Sequence, residues 1–322
     1  MKSGMMLGLT VLTAAAAWAG PLKKTDIPAG SVWAAHLDLE TLRSGDVGRF
    51  LLKQFSEGQD AAHIDALNAI LNFDIRKDLN DVTLFGRAEG DTESVAILRG
   101  RLDTERLVLF VRANDTHTEK KVGDQTIHSW VDKDKQGQLQ RSFGCVPAPG
   151  VLVVGKSEAR LCEALDTLAG RRPPLQDGFL DEAAAPGGSV FWAAADMTRS
   201  QKKPAKSQLL RLISTGSLAI GEQAGQVAGS VTLNCADTNT AASVQTIAQG
   251  FLAMALLTAD AKDAKAQDFL HNISLQNDGR KISIGLRMPT ADFIGQLEKK
   301  MLEEKTQRAK NEKAGAAPAK KT

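Results

Sequence analysis

Hydrophobic and polar residues along the chain alternate in two different periods, and the switches between them mark the elements. From Pro28 to Asp38 the segment "PAGSVWAAHLD" places Trp33, Ala35 and Leu37 on one side and Val32, Ala34 and His36 on the other, the period of a strand. From Leu39 the period becomes helical through Leu42, Val47, Phe50, Leu51 and Phe55, and Ile64, Leu67, Ile70 and Leu71 mark a second helix. The strands "DVTLFGRA" and "SVAILRGRL" follow, then a helix opened by Asp103-Thr104. Next come the strands "QTIHSWVD", "LQRSFGCV" and "VLVVGK", and a helix over Ser157 to Ala169. The phrase "PGGSVFWAAAD" at Pro186 to Asp196 nearly copies the first one 158 residues later. Behind it stand an apolar helical stretch at Leu209 to Ile213, the strands "SLAIGEQ" and "AGSVTLNCA", and a helix opened by Asp237-Thr238. A hairpin pattern with turn residues at Asn277-Asp278-Gly279 and a closing helix through Phe293, Leu297 and Met301 complete the order.

This order predicts an α+β fold built of two homologous modules in tandem. Each module is expected to hold a mostly antiparallel sheet with helices packed on one face, in the order β-α-β-β-α-β-β-α, with an additional strand in the first. The expected boundaries are a signal peptide at 1–19, a first module at 20–170, a linker at 171–187, a second module at 188–302 and a disordered basic tail at 303–322. The linker "GRRPPLQDGFLDEAAAPGG", Gly170 to Gly188, carries Pro and Gly and lacks a sustained amphipathic period. Whether the two sheets are continuous is left open by the pattern.

The N-terminus changes the picture most. Lys2 precedes an apolar run from Met5 to Ala17, and Ala17-Trp18-Ala19 has the small-x-small pattern of a cleavage site, so export to the periplasm or medium with cleavage after Ala19 is expected. The later run "GFLAMALL", Gly250 to Leu257, is too short to span a bilayer and is expected as a core helix, with no transmembrane span in the mature chain. Over 322 residues the formal charge is only +2, there is no Tyr, and aromatics make up 5%, which argues against nucleic acid and stacked-sugar ligands. The basic tail could make weak contact with a membrane or cell-wall polymer, which Glu303, Glu304 and Glu312 weaken. Cys145, Cys162 and Cys235 could form at most one bridge and are expected as structural residues.

Candidate chemistry is sparse. Asp38, Asp196, Asp103 and Asp237 stand where strands give way to helices, the position of an N-cap. "DKDKQG", Asp132 to Gly137, has the first half of a calcium loop, but the twelfth position is Phe143 and a solvated turn is expected. His117, Asp124 and His128 offer metal-ligand chemistry in a spacing that matches no named site, so no metal and no cofactor are expected. His36, His63 and His271 have no partner in sequence. Cys145 with His128 is conceivable as a thiol-imidazole pair. The local signatures of serine hydrolases, zinc proteases, phosphate loops and dinucleotide sites do not occur.

The duplicated openings "PAGSV" and "PGGSV", the segment "DIRKDLNDVTLFG" from Asp74 to Gly86, and the leader together resemble a group of uncharacterised exported bacterial proteins. That resemblance implies a sibling fold and carries no functional residues. The resulting expectation is a non-catalytic envelope protein serving as a binding or scaffold module, with an envelope protein as partner and Arg87, Arg99 and Arg101 as candidate contacts on polar strand faces. The alternatives are a hydrolase-type enzyme with its site in the cleft between the modules, and a carrier of an apolar ligand.

Overall fold

The computed structural model describes residues 22–58, 61–88, 91–133, 137–176, 178–180, 189–200, 212–258 and 264–315. The expected signal peptide therefore lies outside the described residues, as does most of the helix read at Leu209 to Ile213.

The fold is α+β, built on one antiparallel sheet of twelve strands in the order β11-β12-β10-β9-β8-β1-β2-β3-β7-β6-β5-β4. The first half supplies β1 (Trp33–Asp38), β2 (Leu79–Gly86), β3 (Ser94–Gly100), β4 (Thr118–Val122), β5 (Gln125–Lys133), β6 (Leu139–Ala148) and β7 (Val151–Gly155). The second supplies β8 (Ser189–Asp196), β9 (Ile213–Gln223), β10 (Gln226–Cys235), β11 (Ile273–Asp278) and β12 (Lys281–Pro289). The helices that matter below are α1 (Leu39–Ser44), α2 (Asp46–Ser56), α3 (Ala61–Leu71), α4 (Ile75–Asp78), α5 (Thr104–Arg112), α6 (Glu158–Leu168), α7 (Met197–Ser200), α8 (Thr238–Thr258), α9 (Ala264–His271) and α10 (Thr290–Gly315).

The two sheets are continuous, and they join where the repeated phrase occurs. Strands β1 and β8 pair antiparallel at the middle of the sheet, with Trp33 opposite Ala195, Ala35 opposite Ala193 and Leu37 opposite Phe191. Ala35 and Ala193 occupy the same position in the two copies of the phrase, so the ladder has a local two-fold centre at that pair. Walking outward, β2, β3 and β7 on one side occupy the places that β9, β10 and β12 occupy on the other, all paired antiparallel with their neighbours.

Strand period decides which side chains are covered. On one face Ala34 of β1, Phe85 of β2, Val95 and Ile97 of β3, Cys145 of β6 and Val153 of β7 form the main core with Leu161, Ala164 and Leu165 of α6. Trp192, Ala194 and Ala219 carry this core across the central ladder. In the second half the core lies on the other face, where Cys235 and Ile282 meet Ala241 and Val244 of α8. The main core is thus helix-covered on one face of the sheet and the second core on the opposite face.

Two segments differ from the sequence reading. The stretch expected as a linker carries Leu175, Phe179 and Leu180, which are buried in the main core against Ile27, with Pro174 bridged to Pro28. Its prolines do interrupt regular structure, but its apolar side chains have a core to enter. Helix α10 continues to Gly315, past Glu303, where the basic tail was expected to begin.

Leu180→Ala separates a packed segment from a free linker. We expect a loss of about 2–5 kcal/mol in urea unfolding, the usual range for a buried Leu; an unpacked linker would show almost none.

Candidate functional site

The candidate contact arginines have different surroundings. Arg99 of β3 is turned inward, its side chain 11% exposed, and donates to Asp26 Oδ2 at 2.6 Å and to Asp81 Oδ1 at 3.4 Å. Arg87 pairs with the buried Glu163 of α6 and donates to the Ala29 carbonyl at 3.2 Å. Glu163 also accepts from Arg160 at 2.6 Å, so it is an internal anchor for α6. Arg101 is largely exposed and pairs with Asp78 at 2.9 Å. The first two therefore tie the core together, because a guanidinium close to a buried carboxylate is worth most where water is excluded.

Asp81 sits beside Asp38 across the β1–β2 ladder and is 4% exposed. Burial pushes its carboxyl up to about 6, with Asp38 adding to the rise and Arg99 opposing it. Asp38 itself caps α1, accepting from the Thr41 amide at 2.8 Å and the Thr41 hydroxyl at 2.7 Å. The other expected caps do the same work: Asp103 accepts from the Arg106 amide, Asp196 from those of Thr198 and Arg199, and Asp237 from that of Thr240.

The thiol-imidazole pair is not assembled. His128 lies opposite Gly144, one residue before Cys145, so the two side chains leave opposite faces of the sheet. Burial pushes the Cys145 thiol up to about 11, the direction of an inert cysteine. Cys145, Cys162 and Cys235 are all free thiols. His36 is buried with Nδ1 2.9 Å from the Thr83 hydroxyl, and His271 Nδ1 lies 2.8 Å from the Gln267 carbonyl. His63 has no described side chain. Half of the calcium-like turn, at 134–136, lies outside the described residues.

His117 and His128 do come together, with ring nitrogens 3.2 Å apart, but Asp124 does not join them. It occupies the β4–β5 turn, three ladder rungs and about 10 Å away. The third member is Glu119, directly opposite His128 in the ladder. Its Oε1 lies 3.9 Å from His117 Nε2 and 3.6 Å from His128 Nδ1, and it accepts from Arg112 Nε at 2.5 Å. Burial lowers the His128 pKa, the largest of several effects, and so favours the neutral ring. Among the described residues this is the group of side chains able to hold a metal ion.

Two surfaces lie away from this cluster. A trough of about 890 Å³ lies over the second half of the sheet, on the face opposite α8, floored by Ala219, Gly221, Ala228, Ser230 and Gly285 and edged by Arg287. Helix α8 is the other. It contains no charged residue, is long and apolar enough to cross a membrane, and only 11% of that stretch is buried. The run expected as a core helix is thus the opposite. Val244 is buried, yet Phe251, two turns later on the same helix face, is 67% exposed, so the second half of α8 turns this face to water. Ile247, Met254 and Leu257 are exposed beside it, Leu257 at 86%.

No family model matches the chain, and no curated protein does. Among solved structures, crystal form III of TP0453 is similar at a TM-score of 0.49 and 11% identity, covering 86% of this chain and 97% of that one. Crystal forms I and IV of TP0453 give a TM-score of 0.46 each, at 11% and 13% identity.

For Asp81 the sign follows from its raised pKa. The folded state holds the proton more tightly than the unfolded chain, so this group adds stability fully below pH 3.8 and the gain is lost as pH rises through about 6. The span corresponds to at most about 3 kcal/mol. Asp81→Asn should therefore gain on the wild type by up to about that amount between pH 4 and pH 7.5 in denaturant titrations; a pH-independent difference would show that Asp81 stays ionised.

Proposed function

We propose that the protein is an exported, non-catalytic envelope protein that binds a protein partner through the exposed apolar side of α8, on a scaffold that arose by duplication of one α+β module. The leader-like N-terminus supports export, and the pairing of the two repeated strands about a common centre supports the duplication. The observation that carries the binding reading is the α8 stripe of Ile247, Phe251 and Leu257. A contiguous exposed apolar patch costs solubility and marks a contact surface.

Chemistry favours a protein groove over a lipid surface. Helices that lie in a bilayer interface carry Lys or Arg on their polar face, whereas α8 has Thr, Ser, Asn and Gln there and no charge at all. A helix presenting anchors at spacings of three and four residues suits insertion into an apolar groove. The enzyme alternative requires a cleft between the halves, but that junction is filled by the β1–β8 ladder. The apolar-carrier alternative requires an enclosed apolar cavity, whereas the trough is open and floored with small and polar residues.

Crosslinked capture from the host envelope, with Phe251→Glu and Leu257→Glu as paired controls, tests this. The wild type should recover a stoichiometric protein that the double variant loses at least tenfold, since truncating a central anchor typically costs 2 kcal/mol or more. Flotation with phosphatidylglycerol-containing vesicles, abolished by the same substitutions, would instead assign α8 to lipid.

A further inference from the structure

We propose that His117, Glu119 and His128 form a binding site for a divalent transition metal of the zinc class at the β4 edge of the sheet. The three ligand atoms are separated by 3.2, 3.6 and 3.9 Å. In a tetrahedral zinc site with bonds of about 2.1 Å the ligand atoms stand about 3.4 Å apart, so these three atoms need to shift by only about half an ångström to seat the ion just out of their plane. Two imidazoles and one carboxylate are also the donor types zinc takes when it retains an open position.

The local fold explains the convergence. Gly123 adopts φ +58 in the two-residue turn Gly123-Asp124, which fixes the β4–β5 register and sets Glu119 directly across from His128. His117 precedes Glu119 by two residues, so strand alternation returns it to the same face. The rings lie stacked with centroids 5.4 Å apart and side chains 10% and 9% exposed, while Glu119 is 35% exposed and leaves a path for the ion. Without metal the rings share one N–H hydrogen bond. Moving that proton to the far nitrogen of its own ring frees both facing lone pairs for the ion.

Arg112 competes for the same carboxylate oxygen. Its Nε donates to Glu119 Oε1 at 2.5 Å from the end of α5, and its side chain is half exposed, free to move to Oε2 or to solvent. Metal binding must displace this contact and tolerate the neighbouring positive charge, so removing the guanidinium should tighten the site. A water fills the remaining position of a four-coordinate ion, on the solvent side of Glu119.

The test uses the full chain purified with a tag free of histidine. Zinc is titrated against a chromophoric chelator, and Co²⁺ serves as the spectroscopic probe. The expected result is one equivalent of zinc per chain, a tetrahedral cobalt spectrum in the visible, and a zinc-dependent rise in Tm. Glu119→Gln and His117→Asn should each weaken binding at least tenfold and abolish the cobalt bands, with unchanged far-ultraviolet circular dichroism. His271→Asn should bind like the wild type, and Arg112→Gln several-fold tighter. Equal binding by the wild type and Glu119→Gln, loss of zinc only in His271→Asn, or weaker binding by Arg112→Gln would each overturn the site. Because Glu119 is partly exposed, its substitution tests the site without depending on the buried His128.

Discussion

The ladder between β1 and β8 is the contact on which the architecture turns. Each strand would otherwise present an unpaired edge, a row of amides and carbonyls with strong affinity for another strand. Pairing the two edges removes both at once and merges two half-sheets into one. The ladder is rich in alanine on both strands, at Ala34, Ala35, Ala193, Ala194 and Ala195, so the backbones meet without bulky side chains across the centre. Around it the main core crosses from Ala34 to Trp192 and Ala219, making the junction interior to the protein.

A second constraint follows from putting polar groups near that centre. Asp26, Asp38, Asp81 and Arg99 are largely withdrawn from water, and each charge has to be met by hydrogen bonds or an opposite charge. Arg99 serves two carboxylates, and Asp38 is satisfied by the first turn of α1. Burial raises the Asp81 pKa, Arg99 at 3.4 Å offsets only part of that rise, and the facing Asp38 adds a little to it. The net stability such a network adds is small, since the cost of desolvation offsets much of the attraction.

The periphery is less constrained, and it is where recognition chemistry gathers. Strand β4 is an edge strand whose residues are all exposed, with Lys120 and Lys121 discouraging further pairing. The same hairpin brings two imidazoles and a carboxylate to one point, beneath the end of α5. At the other end of the sheet α8 leaves apolar side chains in water, while the opposite face holds an open trough. The molecule therefore has a buried centre that is satisfied internally and two unlike outer regions.

The sequence by itself determined the elements whose cause is local. Strand alternation around Trp33, the helices opened by Asp103 and Asp237, and the hairpin at Gly279 follow from side-chain period, capping and turn geometry. Of the His–Glu cluster the sequence reading reaches His117 and His128 by residue type but names Asp124 as the third ligand, because β4, whose register with β5 sets Glu119 opposite His128, is not among the strands it reads. What tertiary structure alone decided concerns partners distant in the chain. Arg99 reads as a solvated strand residue until Asp26, 73 residues away, is seen against it. Leu175 and Leu180 read as linker until the core they enter is in place, and the run from Gly250 to Leu257 reads as core until Phe251, Met254 and Leu257 are found in water. Hydrophobicity states that a side chain gains by leaving water. Only the assembled sheet determines whether there is a surface for it to reach.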